Sequence, residues 1–203
     1  MNVMAPLAGL VLAGGLSSRM RRDKAALPYQ GRSQLDRAFD LVSRHVQPVF
    51  VSVRAGQAAD PARARHPLIV DAVDGEGPMA GIRSALAQNA GSAWLVVACD
   101  LPFLSDAVLA HLIAQRDPAR TATAYRSSHD GLPEPLCAIF EPRAAAALAE
   151  AQGHGRSCPR KFLISADTRL LEPLDPRALD NINTPDEYQA ALAALDTAGR
   201  LPC

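Results

Sequence analysis

The sequence has 203 residues, enough for one sizeable hydrophobic core. Its 21 basic and 21 acidic side chains cancel, so net charge gives no general attraction to nucleic acid or to an anionic membrane, and we predict neither as a partner. The four cysteines and five histidines lack the spacing of a zinc site. Without a signal sequence or an apolar run of about 20 residues, we predict a cytoplasmic protein with free thiols.

Short apolar runs alternate with amphipathic stretches along the chain. The apolar runs predict buried strands at Leu7–Leu12, Pro48–Val53, Leu68–Asp71, Trp94–Ala98, Thr121–Tyr125, Leu136–Phe140 and Leu170–Leu174. The amphipathic stretches predict helices at Gln34–His45, Met79–Asn89, Asp106–Gln115, Pro142–Glu150, Arg160–Ser165 and Pro185–Leu195. The alternation predicts one α/β domain over residues 1–203, with three layers and a mainly parallel sheet.

The first predicted strand runs into a glycine-containing segment with two cations. Gly14 and Gly15 allow backbone N–H groups to approach a phosphate closely, while Arg19 and Lys24 carry charges suited to phosphate oxygens. The pattern matches neither the dinucleotide-binding Gly-x-Gly-x-x-Gly motif nor the Walker motif. The glycines alone fit an ordinary turn equally well, but the two cations favour a nucleoside triphosphate site.

A carboxylate follows the strand predicted at Trp94–Ala98. Because ligands of open α/β sheets bind at the carboxyl ends of the strands, Asp100 is a candidate ligand of Mg²⁺ beside a triphosphate. Its alternative role is to cap the turn before Pro102. We predict Arg19, Lys24 and Asp100 as the catalytic residues.

Further candidates follow other predicted strands. Gly77-Pro-Met-Ala-Gly81 opens a predicted helix, where free N–H groups and small side chains suit a base, ribose or phosphate. Asp71 and Asp74 could accept hydrogen bonds from a nucleoside, or could simply be solvated. Asn181-Ile-Asn183 precedes the last helix and could contact a metal or a phosphate, or form a turn.

Several of these motifs together resemble those of the molybdenum cofactor guanylyltransferases, in the same order from about residue 7 to residue 190. The motifs are Leu12-Ala-Gly-Gly15, Ser18-Arg-Met20, Asp23-Lys24, Gly77-Pro-Met-Ala-Gly81, Cys99-Asp-Leu-Pro-Phe103, Glu134-Pro-Leu136 and Asn181-Ile-Asn-Thr-Pro185. The resemblance implies a three-layer α/β/α, Rossmann-like nucleotidyltransferase fold. It also implies transfer of GMP from GTP to the phosphate of molybdenum-molybdopterin, which forms the guanine dinucleotide and releases pyrophosphate.

The resemblance carries site residues with it. It implies a nucleotide-binding half at residues 1–100 and a molybdopterin-binding half at residues 101–203. The nucleotide would contact Leu12, Ala13, Gly14, Gly15, Lys24, Ser52, Asp71, Gly77, Pro78, Gly81 and Asp100. Mg²⁺ would bind Asp100, with weaker support for Asn183. Molybdopterin would contact Asn181, Asn183, Arg156, Arg160 and Lys161, although the last three also fit a solvated basic loop.

Two departures from the family pattern accompany these assignments. Ser52 stands where related sequences often have asparagine, and Arg21-Arg22 stands where they usually have glycine. Gly15 is more typical of the guanylyl branch than of the cytidylyl branch. Two alternatives to guanylyl transfer stay open. One is a cytidylyltransferase acting on molybdopterin or on a sugar or polyol phosphate, and the other is a non-catalytic nucleotide-binding scaffold. The resemblance also implies transient contacts with a molybdenum insertion protein and with molybdoenzyme chaperones.

Overall fold

The computed structural model describes residues 4–15, 20, 22–73, 75–153 and 158–198. The strands are β1 (Leu7–Leu12), β2 (Pro28–Tyr29), β3 (Arg32–Ser33), β4 (Val49–Val53), β5 (Leu68–Val70), β6 (Ala93–Ala98), β7 (Ala122–Arg126), β8 (Pro133–Phe140) and β9 (Thr168–Leu171). The α-helices are α1 (Gln34–Ser43), α2 (Pro61–Ala64), α3 (Pro78–Gln88), α4 (Asp106–Ala114), α5 (Ala144–Gly153), α6 (Pro159–Ser165) and α7 (Pro185–Ala198). Short 3₁₀ helices span Lys24–Ala26 and Ala55–Gln57.

Seven of these strands form one mixed sheet in the order β5-β4-β1-β6-β8-β7-β9. The pairs β5-β4, β4-β1, β1-β6 and β7-β9 are parallel, whereas β8 is antiparallel to both of its neighbours. The short connection from β7 to β8 explains that reversal, because a parallel neighbour needs a longer crossover. The predicted α/β class with a mainly parallel sheet is confirmed.

Helices cover both faces of the sheet. Helices α1 and α4 pack on one face through buried side chains such as Leu35 and Leu109. Helices α3, α5 and α6 pack on the other face through Ile82, Leu148 and Phe162. Successive residues of β1 and β6 contribute to opposite faces, as alternation along a strand requires. Both strands are therefore apolar throughout, and the three layers predicted from the sequence are present.

A smaller cluster joins the C-terminal helix to the segment after Lys24. Met20, Leu27, Tyr29 and Ile182 are among its buried members. The Tyr188 hydroxyl of α7 donates a hydrogen bond to the Pro28 carbonyl at 2.6 Å. These contacts bring the residues before α7 close to the residues that follow β1.

The prediction of a strand over Leu170–Leu174 is wrong in its second half. The strand ends at Leu171, paired with Tyr125 of β7, and Leu174 is 57% exposed. Pro173 has no N–H group for a further ladder hydrogen bond. Neither α2 nor the β2-β3 hairpin is predicted from the sequence, since elements of two to four residues carry too little periodicity to detect.

No helix within the described part of the chain is long and apolar enough to cross a bilayer.

Close packing of α3 on the sheet depends on Gly81. A Cβ atom at this position would overlap the Ser52 hydroxyl and lie 2.9 Å from Leu12 Cδ2. We expect Gly81→Ala to lower the free energy of unfolding by about 1 to 2 kcal/mol, because overpacking outweighs the gain in helix propensity. Urea denaturation measures this loss. Gly15→Ala is the matched control, since no described atom lies within 4 Å of its added Cβ, and equal stability of the two variants would contradict the prediction.

Candidate active site

The carboxyl ends of β1, β4, β5 and β6 open into a cleft of about 490 Å³, which we call the first cleft. All the residues predicted to bind the nucleotide line it except Gly81. Gly81 instead packs beneath Ser52, so its position supports an indirect role in shaping the cleft. Parallel strands deliver their terminal residues to one edge of the sheet, which explains why residues so distant in sequence meet here.

Asp100 and Lys24 form an ion pair in the first cleft. Asp100 follows β6, and its Oδ2 accepts a hydrogen bond from Lys24 Nζ at 2.9 Å. Lys24 Nζ also donates to Asn183 Oδ1 at 2.6 Å. The Ile182 N–H donates to the Asp100 carbonyl at 3.1 Å, which ties the segment before α7 to the end of β6. Residues from three distant parts of the sequence thus form one polar cluster.

The second carboxylate oxygen of Asp100 is buried. Among the described residues, no group donates a hydrogen bond to Asp100 Oδ1. Leaving a buried acceptor unpaired costs about 1 to 3 kcal/mol, so this atom is available to an incoming ligand. The oxygen fits a divalent cation, and a single carboxylate is enough for Mg²⁺ when phosphates supply further ligands. Asn183 Oδ1 faces the Lys24 ammonium, and its role as a metal ligand stays a prediction.

Ser52 and Asp71 form a second polar pair, beside Gly14. Ser52 Oγ donates to Asp71 Oδ1 at 2.7 Å, linking the ends of β4 and β5. A Cβ atom added at Gly14 would lie 3.4 Å from Asp71 Oδ2. The absence of a side chain at Gly14 therefore leaves space beside this carboxylate. The nucleotide contacts predicted for Ser52 and Asp71 remain predictions.

Two arginines that the sequence analysis did not identify contact the end of β1. Arg54 follows β4, and its Nε donates to the Gly14 carbonyl at 2.7 Å. Arg63 of α2 is 1% exposed and donates to the Ala13 carbonyl from Nε at 3.3 Å and from a terminal nitrogen at 3.1 Å. Burial lowers the pKa of Arg63, but its hydrogen bonds to Asp23 and the nearby charges outweigh burial and raise it overall. Arg63 is therefore a permanent cation.

A second cleft of about 760 Å³ adjoins the first, and both are lined by Pro78 and Leu136. Asn181 and Arg160 line this second cleft. Arg160 donates to Asp130 at 2.7 Å and to Glu134 at 2.8 Å, so its charge is already balanced by carboxylates.

Another cation of the second cleft has a different environment. The Arg177 guanidinium carbon lies 4.7 Å from the centre of the Phe103 ring. Within the described parts of the chain, no carboxylate lies within ion-pair distance of Arg177. Unlike Arg160, it makes no direct ion pair there.

The start of α7 is fixed by a reciprocal capping arrangement. Glu187 accepts hydrogen bonds from the N–H groups of Asn183 at 2.6 Å and Thr184 at 3.0 Å. The Glu187 N–H donates to Thr184 Oγ1 at 3.3 Å. Hydrogen bonding to the backbone at Asn183 is the largest influence that lowers the pKa of Glu187. This capping box holds Asn183 where it meets Lys24.

Comparison with known proteins places this chain in a family. The family described as "MobA-like NTP transferase domain" matches residues 9–170. The molybdenum cofactor guanylyltransferase of Pseudomonas paraeruginosa is 33% identical over 190 residues, which cover 91% of this chain and 94% of that protein. The chain belongs to the molybdenum cofactor guanylyltransferase family. It is a nucleotidyltransferase of molybdenum cofactor biosynthesis.

Two other relatives of this chain differ from each other in their length and in their sequence identity to it. A molybdenum cofactor biosynthesis bifunctional protein of Synechocystis sp. is 39% identical over 183 residues, which cover 90% of this chain. The match spans only 53% of that longer protein. The crystal structure of molybdopterin-guanine dinucleotide biosynthesis protein A from Archaeoglobus fulgidus is 26% identical, with a TM-score of 0.77. That alignment covers 94% of this chain and 99% of the Archaeoglobus chain.

The structure separates the residues predicted to bind molybdopterin. Asn181 and Arg160 line the second cleft, whereas Asn183 lines the first. Lys161 is exposed on α6 and lines neither cleft. Arg156, together with Arg19, Arg21 and Asp74 of the other predictions, lies outside the described residues. Asn181 and Arg160 line a cleft next to the first one, so their positions support the predicted contact with molybdopterin more strongly than the position of Lys161 does.

Cys99 lines the first cleft but is not suited to nucleophilic attack. Burial, with a further contribution from the Asp100 charge, raises the pKa of its thiol to about 12. The thiolate is the reactive form of cysteine, and at neutral pH Cys99 is a thiol. Cys99 is therefore unsuited to forming a covalent intermediate.

Proposed function

We propose that this protein transfers the GMP moiety of GTP to the phosphate of molybdenum-molybdopterin and releases pyrophosphate. The observation that carries the proposal is the Asp100–Lys24–Asn183 cluster at the carboxyl end of the sheet, in a cleft that adjoins a second one. The name of the Pseudomonas relative, which aligns over nearly its whole length, supports the same activity.

The reaction needs positioning more than proton transfer. An oxygen of the acceptor phosphate attacks the α-phosphorus of GTP and forms a new P–O bond. The bond from the α-phosphorus to the oxygen bridging to the β-phosphorus breaks, and pyrophosphate leaves with that electron pair. A phosphate monoester has a second pKa near ~6, so the attacking oxygen is already anionic at neutral pH. No general base is required.

Residues of the first cleft would hold GTP. The Lys24 ammonium neutralises phosphate charge, the amides of Gly14 and Gly15 approach phosphate oxygens, and Asp71 accepts hydrogen bonds from the guanosine. Asp100 would hold Mg²⁺ through Oδ1, and the bound ion would neutralise part of the charge that moves onto pyrophosphate. Such fixed charges stabilise the transition state more than the ground state.

The second cleft is the acceptor site of this proposal. It begins at Pro78 and Leu136, which also line the first cleft, so an acceptor there can reach the bound nucleotide. Asn181 offers an amide, and Arg177 offers a cation that makes no ion pair with a described carboxylate. The division into a nucleotide half at residues 1–100 and an acceptor half at residues 101–203 belongs to the same proposal, although Asn183 contributes to the first cleft. Contacts with an insertion protein and with molybdoenzyme chaperones would follow product formation.

Pyrophosphate release tests the function directly. Purified protein is incubated anaerobically with molybdenum-loaded molybdopterin, Mg²⁺ and one of GTP, CTP, ATP or UTP. We expect release with GTP, dependent on the acceptor, and little release with the other three. Preference for CTP would contradict guanylyl transfer and favour the cytidylyl alternative. Nucleotide binding without release from any of the four would favour the non-catalytic scaffold.

A further inference from the structure

Arg63 makes an unusually complete set of contacts for a residue outside the sheet. It lies on α2, in the connection between β4 and β5, and is 1% exposed. Its two terminal nitrogens donate to the two carboxylate oxygens of Asp23 at 2.6 and 2.9 Å, and one of them also reaches Asp60 at 3.2 Å. The remaining contacts go to the Ala13 carbonyl at 3.1 and 3.3 Å. Five contacts thus use the five N–H groups of the guanidinium.

These contacts join two segments that the proposed function places around the triphosphate. Ala13 directly follows β1 and precedes Gly14. Asp23 precedes Lys24, and Asp23 Oδ1 also accepts a hydrogen bond from the Ala25 N–H at 3.0 Å, which caps the 3₁₀ helix Lys24–Ala26. The planar fork of Arg63 therefore fixes the distance and direction between the end of β1 and the helix that carries Lys24.

The arginine contacts also orient two peptide groups. The Ala13 carbonyl points to Arg63, and the Gly14 carbonyl accepts from Arg54 Nε at 2.7 Å. In a trans peptide the N–H group points opposite to the carbonyl of the same unit, so the N–H groups of Gly14 and Gly15 point away from these guanidiniums. A charged donor on the carbonyl also polarises the peptide unit, which strengthens its N–H group as a donor to an anion.

Stability alone gives a weak reason for a buried arginine at this position. A buried ion pair is often no more stabilising than apolar residues of similar volume. The carboxylate partners of Arg63 are not themselves buried, since the Asp23 and Asp60 side chains are 36% and 37% exposed. Water can solvate both of them if the guanidinium is removed. The contacts to Ala13 and to the residue before Lys24 point to a role in the site.

We propose that Arg63 is a positioning residue that sets the Gly14 amide and the Lys24 ammonium in a fixed relation for binding the triphosphate of the nucleotide. The inference rests on the proposed function, because that function supplies the triphosphate. Arg63 does not touch the substrate, and it acts through Ala13 and Asp23.

The test compares Arg63→Met with Arg116→Met. Arg116 also forms a buried, two-bonded ion pair, with Glu141 at 2.6 and 2.8 Å, and lines neither cleft. Its partner is only 2% exposed, so removal of Arg116 leaves a buried charge without its partner. Both variants are assayed for thermal unfolding, for binding of GTP and of GMP by equilibrium dialysis, and for kcat and for KM of each substrate.

We expect Arg116→Met to affect mainly stability and Arg63→Met to affect mainly the binding and use of GTP. Arg116→Met should lower the melting temperature more and keep the wild-type KM for GTP. Arg63→Met should lower kcat/KM for GTP by about 100-fold, as small misplacements in a site can do, and leave KM for the acceptor unchanged. GTP binding should weaken while GMP binding changes little, because the proposal has Gly14 and Lys24 hold the triphosphate, of which GMP keeps only the α-phosphate. Arg63→Lys should fail to restore GTP binding, since one ammonium cannot hold Ala13 and both oxygens of Asp23.

Wild-type behaviour of either Arg63 variant overturns the inference. If folded Arg63→Met binds GTP like the wild type, Arg63 is a stabilising residue only. Full activity of Arg63→Lys would show that simultaneous hydrogen bonding to the Ala13 carbonyl and to both Asp23 oxygens is not required. Failure of the proposed function is distinguishable, because the wild-type protein itself would then release no pyrophosphate. If Arg63→Met does not fold, Arg63→Lys carries the comparison, and wild-type GTP binding by that variant overturns the inference.

Discussion

Asp100→Asn is expected to reduce pyrophosphate release by about 10² to 10³-fold while the protein stays folded. Asparagine keeps the size of the side chain and removes the charge that Oδ1 would offer to a divalent cation. The amide oxygen of asparagine can still accept a hydrogen bond from Lys24 Nζ, but the charge of the pair is lost, so we expect a decrease of about 1 to 3 kcal/mol in the free energy of unfolding. Pyrophosphate release across a Mg²⁺ titration, with thermal unfolding in parallel, measures both effects.

The control for this variant is Asp106→Asn. Asp106 lies at the start of α4, is paired with Arg44 at 2.9 Å, and lines neither cleft. Loss of a surface ion pair changes stability by at most about 1 kcal/mol and should leave turnover unchanged. Wild-type, Mg²⁺-dependent turnover by folded Asp100→Asn would refute the assigned role of Asp100.

Lys24→Met is expected to lower kcat/KM for GTP by about 100-fold and also to destabilise the protein. The side chains of Lys24 and Asp100 are 16% and 17% exposed, so their ion pair is largely shielded from water. Removing the lysine takes the ammonium donor from both Asp100 Oδ2 and Asn183 Oδ1. We expect a loss of about 1 to 3 kcal/mol in the free energy of unfolding.

A double-mutant cycle separates the two effects of Lys24. In Lys24→Met with Asp100→Asn, the uncompensated carboxylate is gone, so stability should recover relative to Lys24→Met while activity stays lost. Arg65→Met, which removes a half-exposed cation paired with Asp36, is the control for loss of a positive charge. If Lys24→Met retains wild-type kcat/KM, phosphate binding by Lys24 is excluded.

The sequence predicted the main elements of the fold because each long element carries its own periodicity. The strand Leu7–Leu12 was predicted with its exact bounds, and Asp71 and Asp100 were placed correctly at strand ends. The β2-β3 hairpin was missed, although Gln30 and Gly31 both have positive φ and form its two-residue turn. Strands of two residues have no detectable sequence pattern, and β2 is held in place by contacts with α7.

Sequence reasoning found candidate residues for the first cleft but could not describe their pairing. Lys24 and Asn183 are 159 positions apart, and their hydrogen bond depends on α7 packing against the segment after Lys24. From the sequence, Ser52 stands out only because related sequences often have asparagine there. Its hydrogen bond to Asp71 and its close approach to Gly81 depend on the packing of β4, β5 and α3. The prediction for Arg19 remains a prediction.

The sequence by itself determined the layered α/β architecture, the glycine segment and the residues at the strand ends, because periodicity and turn chemistry are local properties. Only the tertiary structure decided that Arg63 contacts both Ala13 and Asp23, that Asp100 Oδ1 is buried without a described donor, and that the two clefts adjoin. The physical reason is that burial and hydrogen bonding depend on which surfaces meet. An arginine in a short surface helix has no local signal that distinguishes it from a solvated one.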